Sequence, residues 1–347
     1  MSKRTDKKIL IFQPNNNYSG SCRVLLTTIQ SDFDGWDYKV VTTGRDGFLS
    51  QVPDNRFVEI KYPRFLGKIV HGPSYFFYVL KLFFIALYYG FRYRQFYVNT
   101  IMPYPAALAG RLIGCSVTYH VHEKFLNPDI RERAGAWFLM HLKAKRIYVS
   151  NYLREAYHDT SNESEVKYNK LSKDFLDGVN IVPVEERKRN TIVLVSALPS
   201  KEKGVDLYYE LAKICPDKKF LLVTGQPEEA VVNFLGGKEL PNLFIYQGGK
   251  NVGKYLQWSD LLINMSNPFF SQETFGMTIL EGMAYGLPAI VPNAGGPKEL
   301  VEDGYNGYKV DVTDLEGIKK LIEKILDENN YQTYCANAMT MFNKLNG

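Results

Sequence analysis

Cysteine is scarce. Only Cys22, Cys115, Cys215 and Cys335 occur in 347 residues, far apart, with no CxxC pair and no cysteine–histidine cluster. That spacing argues against a disulfide framework or a zinc site and fits a reducing cytoplasm. Long apolar runs are missing too. The four apolar residues Ile9 to Phe12 that follow MSKRTDKK are too few for a signal-peptide core. The aromatic segment from Ser74 to Phe96 is broken by Lys81. The run after that lysine holds about ten residues, where a membrane span needs roughly 20. No G-x-G-x-x-G opens either half after its first apolar strand, which argues against a nicotinamide dehydrogenase. Acids are absent between Glu59 and Glu123, a window that holds Lys61, Arg64, Lys68, Lys81, Arg92, Arg94 and Arg111. The net charge of +5 is nevertheless small for the whole chain, and no recognition motif for nucleic acid is present.

What is present reads as two α/β domains, since the chain exceeds the size at which one core stops growing. Strands are expected at Ile9–Gln13, Tyr38–Thr43, Phe96–Thr100, Val117–His122 and Arg146–Ser150, with helices between them. The charged stretch 183–190, which opens on Pro183, reads as a linker between a first domain over 1–182 and a second over 191–330. In the second, Thr191–Ala197, Lys219–Gly225, Asn242–Gly248, Asp260–Ser266 and Leu287–Asn293 are short apolar runs that suit buried parallel strands. The tail 331–347 is expected to be helical, with a return to the first domain as one option. The fold expected is therefore a pair of doubly wound, Rossmann-like domains facing across a cleft, with ligands at the carboxyl ends of the strands.

The segment from Ser271 to Val310 carries the most chemistry. A loop with Glu273 enters a helix at Gly276, and Gly286 and Pro288 end that helix. At a helix N-terminus the first amides lack partners and the macrodipole is positive, so the N–H groups near Gly276, Met277 and Thr278 can hold a diphosphate. Glu281 lies about 7–8 Å further along the axis, about the reach from a diphosphate to a ribose. Glu273, on the loop, can accept hydrogen bonds from a transferred sugar. The plainer alternative is two acids decorating a helix start, where acids are favourable in any case.

The two glutamates separated by seven residues, the Phe275–Gly276 pair, AYGLPAIV, the glycine pair followed by Glu299, and the DGYNG turn together resemble the retaining family 4 glycosyltransferases of the GT-B fold. The resemblance implies a nucleotide-diphosphate sugar as donor substrate; no cofactor and no metal are expected. It implies that Glu273 binds the donor sugar, that Phe275 and Gly276 lie against phosphates and sugar, and that Glu281 binds the ribose. It implies a phosphate role for Lys203, and weaker donor-lining roles for Gly225 and the QGGKN loop near Gly248. The family's arginine, six residues before the lysine, is Ala197 here, and Lys201 is the nearest alternative cation. In the first half, Gly20 stands where the family has a glycine-rich loop, and His122 in YHVHE resembles its histidine near transferred sugar and acceptor. The implied activity is transfer of a sugar to a glycan or lipid-linked acceptor, as in assembly of bacterial surface polysaccharide.

Other readings stay open. His120 and His122 share a strand face, but a zinc pair would need a third ligand nearby. Asp32-Phe33-Asp34 copies a metal-binding string, yet its position before Gly35 suits an exposed turn. The stretch 61–96 reads either as a peripheral contact with the inner face of a cell membrane or as a helix buried beside the first sheet. Two rival activities share the fold: a non-catalytic subunit that binds nucleotide sugar, motivated by Ala197, and a sugar-nucleotide epimerase that needs no acceptor.

Overall fold

The computed structural model describes residues 7–61, 71–248 and 252–347, without the side chains of 71–73. The chain divides into two compact units, one ending at Lys167 and one beginning at Tyr168.

The first unit is built on seven parallel strands: β1 (Lys8–Phe12), β2 (Asp37–Thr42), β3 (Phe57–Glu59), β4 (Gln95–Asn99), β5 (Ser116–Val121), β6 (Lys145–Tyr148) and β7 (Ser164–Val166), in the order β3-β2-β1-β4-β5-β6-β7. The second has six: β8 (Thr191–Ser196), β9 (Lys219–Thr224), β10 (Leu243–Gln247), β11 (Leu261–Ile263), β12 (Ala289–Pro292) and β13 (Gly307–Val310), in the order β10-β9-β8-β11-β12-β13. Both are doubly wound, and in both the order reverses beside the first strand, between β1 and β4 and between β8 and β11. Central strands such as KILIF and TIVLVS are buried on both faces because helices cover both sides of each sheet.

Several expectations change. The run 242–248 is an edge strand rather than a buried one, and Phe244 and Tyr246 are exposed. Strands β3, β7 and β13 were not anticipated; each has only three or four residues and shows no apolar run. The division between units falls at Lys167, upstream of the segment 183–190, which instead carries a helical turn at Val184–Glu186.

Residues 168–190 are held on the second unit by specific bonds. Leu171 N donates to Asn346 Oδ1 at 2.7 Å, within the C-terminal helix Glu328–Asn346. Arg187, buried, donates to the carbonyls of Val182 (3.2 Å), Tyr285 (2.7 Å) and Ser259 (3.5 Å) and to the Tyr331 hydroxyl (3.2 Å). Tyr285 follows the helix that begins at Met277, so one guanidinium ties the linker, that helix and the C-terminal helix together. Replacing it leaves several buried acceptors unsatisfied. Arg187→Met is expected to destabilise the second unit by about 3 kcal/mol, read from the urea midpoint of equilibrium unfolding.

Candidate functional site

The polar side chains of the second unit converge at its reversal point. From β8 a loop runs through 197–204 into the helix Val205–Ile214; from the neighbouring β11 another runs through 264–276 into the helix Met277–Ala284. The two loops touch. Asn267 N donates to Glu202 O at 2.9 Å, and Lys203 Nζ lies 2.6 Å from Glu273 Oε2. Gly204 adopts φ +63°, and a Cβ there would stand 2.0 Å from Met265 O, so only glycine permits this approach. The Lys203 and Glu273 side chains remain 40% and 25% exposed, so both are reachable.

The Glu273 loop is fixed from below by the glycine pair. Gly296 N donates to Glu273 O at 2.9 Å, and Cβ atoms on Gly295 and Gly296 would lie 2.3 Å from Glu273 O and 2.2 Å from Thr274 O. Glu299 accepts from the Tyr168 hydroxyl at 2.7 Å, and the Tyr168 ring lies 5.8 Å from that of Phe275. Phe275 is therefore turned to the interior. Gly276 caps the helix at φ +105° with no acid in the first turn. Met277 and Thr278 are half-buried, and Glu281 is buried. Gly225, exposed at the end of β9, packs against the Ala197 carbonyl, where a Cβ would be 2.9 Å away. Ala197 and Lys201 are exposed. Of QGGKN, Gln247 and Gly248 are described, and 249–251 lie outside the described residues.

The first unit has a different, uncharged arrangement at its own reversal point. Asn99, at the end of β4, donates through Nδ2 to Gln13 Oε1 (2.6 Å) and to Ser21 O (3.2 Å). Its Oδ1 lies 2.9 Å from His122 Nε2. Because a backbone carbonyl can only accept, Nδ2 must face Ser21, which leaves Oδ1 as acceptor and puts the proton of neutral His122 on Nε2. Loss of hydration pushes His122 down to about 3, so the ring is neutral at ordinary pH. His120, ring centroid 4.2 Å away, is paired with the Tyr97 hydroxyl at 2.7 Å and is likewise lowered by burial. Gly20 begins the helix Gly20–Ser31, with no atom within 4 Å of where a Cβ would be. Asn99 thus links His122 to Gln13 and to Ser21, while Gly20, next to Ser21, makes no bond in this network. In the second unit Lys203 and Glu273 pair directly, and Gly276, Met277 and Thr278 open the helix that follows the Glu273 loop. Asp32 pairs with Lys167. Among the described residues no three metal-ligating side chains cluster.

Sequence reasoning missed Gln13 and Asn99. The signal was there: each is a polar residue closing an apolar strand, ILIFQ and FYVN.

With both reversal points described, residues 180–340 match the family model for glycosyl transferases group 1. More particularly, the chain is 30% identical over 142 residues to the N-acetyl-alpha-D-glucosaminyl L-malate synthase of Bacillus anthracis, covering 40% of this chain and 36% of that protein. It is 43% identical over 67 residues to a GDP-mannose-dependent alpha-mannosyltransferase of Corynebacterium glutamicum, covering 19% and 16%. The chain thus matches only about a third or less of these relatives' own length. The solved structure of Anabaena HepE in complex with UDP and glucose superimposes with a TM-score of 0.72 at 18% identity, over 97% of this chain and 94% of that one. At that identity the likeness establishes the fold, GT-B, with its two Rossmann-like domains.

Beside His122, burial raises the Glu123 carboxyl from 4.5 to about 7, against the hydrogen bond it accepts from Ile101 N. A raised carboxyl stabilises the fold when protonated, a contribution present below its unfolded value and lost as pH rises through about 7. His122 has the opposite sign: its contribution is present above 6.5 and lost as pH falls toward 3. Glu123→Gln, neutral at every pH, is therefore expected to be more stable than the parent at about pH 8 and to lose that advantage near about pH 4.5. Urea unfolding at the two pH values measures the difference.

Proposed function

We propose that the chain is a retaining glycosyltransferase that moves a sugar from a nucleoside-diphosphate donor to a hydroxyl of a glycan or lipid-linked acceptor. The observation that supports this best is the meeting of Lys203 and Glu273, from the loops that flank one reversal point, on the approach to a helix N-terminus without acids. The amides of Gly276, Met277 and Thr278 and the Lys203 ammonium take the diphosphate. Glu281 takes the ribose, and Glu273 the transferred sugar.

A partly exposed ion pair such as Lys203–Glu273 contributes about 1 kcal/mol or less. A diphosphate with more than one negative charge competes readily for the ammonium, while Glu273 keeps it oriented. In the transfer step the acceptor oxygen bonds to the anomeric carbon on the face from which the diphosphate departs. The bond from that carbon to the diphosphate oxygen breaks, and a departing phosphate oxygen takes the acceptor proton. Negative charge grows on the leaving group, where Lys203 and the helix amides stabilise it without a metal. In the first unit, neutral His122 is the residue assigned to the transferred sugar and acceptor. The four cysteines, buried and unpaired, suit a reducing cytoplasm.

Ala197, where the resemblance expects an arginine, favours a second reading, a subunit that binds nucleotide sugar without turning it over. Thermal-shift screening with UDP, GDP and ADP sugars, followed by assay of nucleoside-diphosphate release with and without acceptors, separates the readings. Transfer is expected, and Lys203→Ala should lower kcat about a hundredfold or more, the usual cost of losing one stabiliser of a leaving charge. Glu281→Ala should mainly raise KM for the donor. Binding without release under any acceptor condition would favour the second reading, and absence of binding to every nucleotide would sink both.

A further inference from the structure

The helix His71–Gly90 has two unlike faces. Ser74, Tyr78, Leu82 and Ala86, each four residues from the next, are buried on the side that packs against the helix Tyr104–Leu112. At 3.6 residues per turn the opposite side carries Phe76, Phe77, Leu80, Phe84 and Tyr88, continued past the last turn by Phe91. They are 59%, 48%, 37%, 62%, 75% and 75% exposed. Among the described positions from 74 to 91, Lys81 is the single exposed residue that is not apolar or aromatic. A helix on the surface of a globular protein ordinarily turns a polar face outward, and a contiguous apolar stripe of this kind marks an interaction surface.

Charge indicates what covers it. The stripe lies within the acid-free window between Glu59 and Glu123, and Lys81 on the helix and Arg92 and Arg94 just after it are exposed. Arg92 is partly offset by Asp37, 3.4 Å away. Arg64 and Lys68 lie outside the described residues. A second copy of the chain, meeting through the same patch, would set this basic window against itself. An anionic lipid surface is complementary to it, and phenylalanine and tyrosine suit the boundary between headgroups and acyl chains. No described helix is long and apolar enough to cross a membrane, and the inner face of this one is already taken by protein.

We propose that the helix His71–Gly90 lies in the plane of an anionic bilayer, with Phe76, Phe77, Leu80, Phe84, Tyr88 and Phe91 sunk into the headgroup–acyl boundary. The proposal does not depend on the transfer reaction. It is tested by co-sedimenting the full chain with phosphatidylcholine vesicles that contain or lack phosphatidylglycerol. The chain is expected to bind the anionic vesicles, and more weakly as salt is raised. The triple variant F77S/F84S/Y88S should lose affinity about a hundredfold, since binding scales with buried apolar area. Its circular dichroism melt should stay unchanged, because the three side chains face outward. In F84W, brominated lipid should quench the tryptophan emission introduced at that position beyond any quenching seen in the parent. The proposal is overturned if the chain ignores both vesicle types, if the triple variant binds as well as the parent, or if the parent is a dimer that the triple variant dissolves while neither binds vesicles.

Discussion

Parallel strands cannot turn directly into one another. Each connection must cross a face of the sheet, and where the crossing side changes, two neighbouring strand ends stand uncovered. The order of both sheets makes this happen beside the first strand of each unit. Polar side chains gather at both places because a buried strand end has backbone and side-chain groups that water no longer satisfies. In the first unit the answer is a neutral network of two amides and an imidazole. In the second it is a lysine and a glutamate, held by loops that approach too closely for any Cβ.

The contrast has a local cost. Thr100, immediately after Asn99, adopts φ +69°, a left-handed conformation that a β-branched residue rarely takes. Such a residue stores about 1–3 kcal/mol, and it persists where neighbouring contacts over-determine the backbone. Here they are the bond from Thr100 N to His120 O at 2.8 Å and that from Ile101 N to Glu123 at 3.0 Å.

Much of this architecture was legible in the sequence because apolar runs and their terminating residues report local structure. Ten of the strands were anticipated within a residue or two at most ends, since each run is apolar and short. The start of the helix at Met277 was readable from Gly276, and its end from Gly286. The edge position of β10 was not, because Leu243, Phe244 and Ile245 look the same whether helices cover one face or two. Nor was the inward turn of Phe275: its packing depends on Tyr168, distant in sequence. The boundary at Lys167 escaped for a similar reason. Composition singled out the charged stretch, but the bonds of Leu171 and Arg187 to the C-terminal helix decide where the second unit begins. His122 was visible as a histidine at a strand end, whereas its tautomer follows only from the orientation of Asn99.

The C-terminal helix adds a temporal asymmetry. Its Tyr331, Tyr334 and Cys335 belong to the same buried cluster as the strands β8, β9 and β11, and Tyr331 also bonds to the carbonyl of Asp260. Strand β7, the outer edge of the other sheet, is complete by Val166. During vectorial synthesis the amino-terminal sheet can close while the ribosome is still translating, but the carboxyl-terminal core must wait for its last helix to clear the exit tunnel. Until then the strands lack the side chains that complete their core.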